Sequence, residues 1–296
     1  MTKNNAAQAS ETAQEQLLRI NREVLSVPHT FFADSLYEAL LTEGNSSFFI
    51  ISLQNEEEFN EGHIPGAVRF QIDLSRPEKA LKSLPADKTI VVTDSNGQLS
   101  CRITTFLRQM GVNAKNLLVG LEGWNKKYSG AGAYCGGVGL PVSDVATPLP
   151  VNDIPYSAPS GLSDKELILK RTVDYASQGR PAIISPEEAL NMSNSFTISM
   201  QAEADYAFGH IDGAANLPVE LFLSGSPELL KLPFDKKIIV GCYMGHYSNI
   251  GSLILNQLGY EAYSLDWGLA GWNTDGFERP LQWLQGDNEY PVEKGS

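Results

Sequence analysis

The chain has 296 residues, 42% of them hydrophobic, which is enough for two domains with a core each. Its 22 basic and 35 acidic side chains leave a formal charge of −13, which excludes the basic face that nucleic acid or an anionic membrane surface would need. Three cysteines, Cys101, Cys135 and Cys242, are too few for a disulfide framework. No Cys-x-x-Cys or Cys/His cluster points to a metal, so neither metal nor organic cofactor is expected.

Taken in order, the first 15 residues are polar and lack the apolar core of a signal peptide. No later segment reaches the about 18 apolar residues of a membrane-spanning helix. A cytoplasmic chain is therefore expected, or a periplasmic one had a leader been removed. Apolar spacing predicts a helix from Gln16 toward Val24, a short helix over 34–41 and a strand over 48–51. Residues 128–161 are rich in Gly, Pro and Ser and read as a linker that contains Cys135, whose surroundings offer nothing to activate it. Ser163, with Glu166 three residues on, opens a helix over 162–175. A short helix over 186–191 and a strand over 196–198 follow. Ile238 to Val240 form a β-branched run typical of a buried parallel strand. Cys242 to Tyr247 make a tight loop, and Ile250, Leu253, Ile254, Leu255 and Leu258 fall at helical spacing up to Gly259, a C-terminal cap.

These elements occur twice. Leu84-Pro85, Asp87-Lys88, Gly97, Ser100, Gly111 and Gly123-Trp124 recur 148 residues later as Leu232-Pro233, Asp235-Lys236, Gly245, Ser248, Gly259 and Gly271-Trp272. Gly62 to Ala67 recurs as Gly209 to Ala214 at an offset of 147. A constant offset marks a tandem duplication. Strands alternating with helices predict an α/β fold with a mostly parallel sheet in each copy. The expected units are 10–140 and 162–296, joined by 141–161.

Two motifs carry a resemblance. Cys-x-x-Gly-His-x-Ser after an apolar strand, followed by Leu-Gly-Tyr and Gly-x-x-Gly-Trp, resembles the active-site half of a rhodanese domain. Asp205 to Ala214 is similar to that family's Glu-Phe-x-x-Gly-His-Ile-Pro-Gly-Ala motif. The resemblance implies tandem rhodanese-like domains and a sulfurtransferase. Cys242 would take a sulfane sulfur from thiosulfate or a similar small donor and pass it, as a persulfide, to a thiol, cyanide or protein acceptor. A loop that winds into a helix N-terminus suits that role, because free amides and the helix dipole stabilise a thiolate or bound anion. Tyr243, Met244, Gly245, His246, Tyr247 and Ser248 would form the substrate-binding loop. Tyr243 and Tyr247 either line the donor pocket or cover the loop. Asp266 and Trp267 are candidates to face Cys242 across the pocket mouth. His63 and His210 belong to the scaffold motif, and Trp124 and Trp272 read as core.

In the first copy Asp94 stands where Cys242 stands in the second, so that copy is expected to be catalytically silent, with Cys101 a buried structural thiol. The chain also departs from the family. The loop has no Arg or Lys, and only His246 would supply charge, below about pH 6.5. The family's Asp-x-Arg is replaced by Ser52-Leu53-Gln54 and Ser199-Met200-Gln201. These losses favour a competing reading, a sulfur carrier or protein-interaction module without turnover; the intact cysteine favours the enzyme. Phosphatases that share the fold need Cys-x-x-x-x-x-Arg to clamp phosphoryl oxygens, and the sixth residue after Cys242 is Ser248.

Overall fold

The β-branched runs Ile90, Val91, Val92 and Ile238, Ile239, Val240 are buried on both faces, which places each at the centre of a sheet. The computed structural model describes residues 11–42, 44–128, 136–150, 152, 157–274 and 288–295; Cys135 lies outside the described residues. The first sheet contains β1 (Thr30–Phe31), β2 (Phe48–Ser52), β3 (Val68–Arg69), β4 (Thr89–Thr93) and β5 (Ala114–Leu117), all parallel, in the order β1-β5-β4-β2-β3. Its helices are α1 (Ala13–Leu25), α2 (Ala33–Thr42), α3 (Glu56–Glu61), α4 (Glu78–Ser83), α5 (Gln98–Gln109) and α6 (Gly120–Trp124).

After β6 (Val142–Ser143) the second unit repeats the plan. Strands β7 (Ile183–Ile184), β8 (Ser195–Ser199), β10 (Ala215–Asn216), β11 (Lys237–Gly241) and β12 (Glu261–Leu265) lie parallel in the order β10-β8-β11-β12-β7, and β9 (His210–Ile211) pairs antiparallel with β6. Helices α7 (Asp164–Ala176), α8 (Pro186–Leu190), α9 (Glu203–Phe208), α10 (Val219–Leu223), α11 (His246–Leu258) and α12 (Gly268–Trp272) surround them. The fold is thus α/β with two parallel five-stranded sheets. Ser163 caps α7 in a capping box with Glu166, and Gly259 closes α11 in the left-handed conformation at φ 108°. Among the described residues no helix is long and apolar enough to cross a membrane.

The two units are fastened in two ways. Helix α5 packs on α11, and α1 packs on α7, so apolar residues of both copies share one core. The units also exchange straps. The stretch after the first unit lies on the second, where Trp272 Nε1 donates to Pro141 O at 2.8 Å and Asn273 Nδ2 to Leu140 O at 2.7 Å. The end of the chain returns to the first, where Trp124 Nε1 donates to Pro291 O at 2.7 Å and Asn125 Nδ2 to Tyr290 O at 2.7 Å. Residues 140–141, at the start of the expected linker, are therefore a wall of the second unit, and residues 290–291, counted from sequence in the second unit, are a wall of the first.

Candidate active site

Cys242 follows directly on β11, in a loop held from both ends. Helix α12 aims its first amides at the loop, with Leu269 N–H donating to Cys242 O at 2.8 Å and Ala270 N–H to Tyr243 O at 3.0 Å. Gly268 makes this approach possible: at φ +51° a Cβ there would lie 2.2 Å from Cys242 O. At the other end Gly245, at φ +87°, turns the chain straight into α11. The helix consequently starts at His246, four residues before Ile250, the first position that the apolar spacing marks.

Cys242 is buried, 4% exposed. Its Sγ accepts the Gly245 N–H at 3.1 Å and lies 3.6 Å from Ser248 Oγ. Ser248 Oγ also bonds Gly245 O and Ser264 Oγ, both at 2.9 Å. A hydroxyl has one proton, so with Ser248 donating to Gly245 O, Ser264 donates to Ser248 and the thiol meets the remaining lone pair. Ser264, on β12, carries no sequence signal except its place on the neighbouring strand.

The corresponding loop of the first unit is built the same way around a carboxylate. Asp94 Oδ1 accepts the Gly97 N–H at 2.6 Å, as Cys242 Sγ accepts that of Gly245. Asp94 Oδ2, the other oxygen of the carboxylate, accepts Leu99 N–H at 2.8 Å and Ser100 N–H at 3.2 Å. Burial pushes the Asp94 carboxyl up, against these amides, which pull it down. Cys101 is also buried, and burial pushes its thiol well above the usual range.

The remaining loop residues divide by what they touch. Tyr243 donates its hydroxyl to the Asp205 carboxylate and accepts Ala202 N–H at 3.1 Å; burial, and then Asp205, push the phenol up to about 12. Met244 packs with Val119, Trp267 and Ala270. Tyr247 is 39% exposed and borders a cleft of about 410 Å³, together with Cys101, Phe32, Leu118, His246 and Ile250.

His246 corrects one expectation. The ring is buried, and Nε2 donates to Asn96 O, across in the first unit, at 3.0 Å. Burial pulls it down to about 4 despite that bond, so it is neutral at physiological pH and brings no charge to the loop. Sequence reasoning missed its counterpart, Gln98, although the 148-residue offset aligns the two. Gln98 Nε2 donates to Asp266 Oδ1 at 2.9 Å, and Gln98 Oε1 accepts the Trp267 N–H at 3.1 Å. Asp266 and Trp267 therefore bind the first unit's loop, and the Trp267 ring joins the cluster with Met244 and Val119. The two loops lie so close that a Cβ on Gly245 would fall 1.9 Å from Gln98 Oε1.

The Ser-x-Gln sequences that replace Asp-x-Arg are neutral structural pairs in both units. Ser52 Oγ donates to Gln54 Oε1 at 2.8 Å and Ser199 Oγ to Gln201 Oε1 at 2.7 Å, and each glutamine amide then reaches a glycine carbonyl, Gly62 or Gly209. His63 and His210 bond the carbonyls of Phe59 and Tyr206 through Nδ1. Among the described residues no cluster of His, Cys, Asp or Glu is arranged to hold a metal ion.

A family profile described as Rhodanese-like domain matches residues 33–127 and 185–275, together more than half of the chain. A tRNA sulfurtransferase of Pyrobaculum aerophilum is 33% identical over 97 residues, which cover 32% of this chain and 18% of that protein. The chain thus spans well under two thirds of that curated relative. Among solved structures, a thiosulfate sulfurtransferase from Pseudomonas aeruginosa is 13% identical, with a TM-score of 0.32, over 96% of this chain and 50% of that one. A rhodanese-like domain protein from Staphylococcus aureus is 22% identical, with a TM-score of 0.29, over 32% of this chain and 90% of that one.

Proposed function

The chain belongs to the rhodanese-like family, with two domains in tandem, and from that premise we propose that it is a sulfurtransferase whose second domain carries sulfur on Cys242. The observation that supports this reading most is Asp94. In the first loop one carboxylate oxygen takes the Gly97 amide, and the other takes two amides of α5. In the second loop Sγ takes the Gly245 amide, and the amides matching those of Leu99 and Ser100 belong to Tyr247 and Ser248. A persulfide adds to Sγ the one atom that would reach them. On this reading the Asp94 carboxylate takes in the first loop the amides whose counterparts would hold a transferred sulfur in the second.

The chemistry follows from that geometry. The Cys242 thiolate attacks the sulfane sulfur of a donor such as thiosulfate; an S–S bond forms at Cys242 as the donor's own S–S bond breaks, and sulfite leaves with the electron pair. An acceptor thiol or cyanide then attacks the outer sulfur and the thiolate departs. Loop amides and the dipole of α11 stabilise the anion at both stages. His246 adds no positive charge beside that anion, because its ring is neutral and its Nε2–H is committed to Asn96.

Intact mass after incubation with thiosulfate tests this. One added sulfur atom is expected on wild type and on Cys101→Ser, none on Cys242→Ser, with thiocyanate release from cyanide following the same pattern. Sulfur uptake by Cys242→Ser would move the chemistry elsewhere. No uptake by any form, even from a persulfide donor, would favour a protein-interaction module that carries no sulfur.

A further inference from the structure

The repeat gives the molecule two clefts between its units, and their chemistry differs. The cleft beside Tyr247 has Ile250 where its counterpart, 148 residues earlier in the chain, has Arg102. That second cleft, about 200 Å³, lies between the first unit and the end of α7. Arg102 is 1% exposed. Among the described residues it makes one hydrogen bond, Nη1 to Ser252 Oγ at 3.0 Å, and no ion pair. Its Cζ lies 5.7 Å from the centre of the Tyr175 ring. Tyr175 lines the same cleft, and its hydroxyl is buried without a hydrogen-bond partner among the described residues. Arg180 borders the cleft too, and among the described residues no acidic side chain lines it.

Arginine does not shed its charge on burial, and a buried charge or hydroxyl left without acceptors is costly. Arg102 has five N–H donors, and Tyr175 adds an unsatisfied one. Both call for an acceptor, while Phe70, Leu74 and Leu99 offer an apolar wall. We propose that this cleft is a binding site for a small organic carboxylate, its oxygens against Arg102 and the Tyr175 hydroxyl and its hydrocarbon part against Phe70, Leu74 and Leu99. Arg180 adds positive charge at the same cleft in a chain whose overall charge is −13. The inference does not depend on sulfur chemistry at Cys242.

Calorimetric titration of the whole chain with hexanoate tests it, with hexanol and inorganic sulfate as the neutral and the non-apolar counterparts. Hexanoate should bind and raise Tm, and the other two should bind at least about ten-fold more weakly. Arg102→Met should weaken hexanoate about ten- to a hundred-fold. Ala176→Trp, which fills the cleft from α7 and leaves Arg102 in place, should do the same and decides the matter if Arg102→Met does not fold. Absence of hexanoate binding by wild type, or unchanged affinity in a folded variant, overturns the proposal. So does equal binding of hexanol, which would mark an apolar hole, or of sulfate, which would mark an inorganic-anion site.

Discussion

A histidine at the start of a helix, four residues after Cys242, invites a charged role, and burial here keeps the ring neutral. With His246 near 4 folded and about 6.5 unfolded, the unfolded chain binds a proton between those values that the folded chain does not. Its contribution is therefore complete above pH 6.5 and is lost as pH falls toward 4, by up to about 3 kcal/mol. Glutamine, already used at the matching position 98, can keep a donor toward Asn96 O. His246→Gln should thus fall behind or match wild type at pH 7 and overtake it by pH 4.5, read from urea midpoints; parallel pH profiles would mean that the ring protonates freely in place. On the proposed function, with His246 neutral, the loop's lack of a cation should limit thiosulfate binding. Tyr247 is half-exposed beside the cleft, so Tyr247→Arg should add a charge-assisted bond of about 1.5–3 kcal/mol. Steady-state kinetics should then show KM for thiosulfate falling about ten- to a hundred-fold, and an unchanged KM would show that loop charge does not limit the site.

At the scale of elements, the strands, the capped helices and the loop around Cys242 are legible in the sequence because their signals are local: β-branched runs, a Ser/Glu capping box, glycines at turns. The exchanged straps are not. They bind through backbone carbonyls of Leu140, Pro141, Tyr290 and Pro291 to Trp and Asn side chains, and a carbonyl leaves no mark on composition, so a Pro- and Gly-rich wall reads as a linker. Trp124 and Trp272 read as core, and both are buried, yet the strap hydrogen bond on each indole is invisible without its partner. Tyr290 is the aromatic anchor of the returning strap, stacked on Tyr37 at 4.1 Å, 5.1 Å from Trp124, and donating to Asp34 at 2.8 Å. Tyr290→Ala should cost about 1–2 kcal/mol. Hydrogen exchange should locate the loss: amides of α2 and α6 in the first unit speed up, while those of β11 in the second stay as they were. Uniform acceleration would mean that the strap supports the molecule globally.

The whole molecule is a pseudo-symmetric pair, and the duplication that reveals this in the sequence also locates its axis. Gln109 and Gln257 are 148 residues apart and meet where α5 crosses α11, each donating Nε2 to the other's Oε1 at 2.8 Å. Their second amide protons go outward, Gln109 to Asn21 Oδ1 at 2.7 Å and Gln257 to Thr172 Oγ1 at 3.0 Å. Asn21 and Thr172 lie on α1 and α7, so one buried network ties four helices from both units. Sequence pattern alone reads two polar residues on apolar helices as exposed, because the surface that buries them belongs to the other copy. A polar network closed in this way acts as a unit. Gln257→Leu would leave Gln109 Oε1 and Thr172 Oγ1 buried without their donor, at a cost of about 1–3 kcal/mol, and Gln109→Leu would do the same to Gln257 Oε1 and Asn21 Oδ1. Changing both removes the two amides that depend on each other, so the double variant should lose less than the sum of the single losses, with a coupling of about 0.5–3 kcal/mol. Denaturant unfolding of the four proteins measures it directly. Additive losses would show that the amides contribute separately and that the apolar core shared by the two units holds them together unaided.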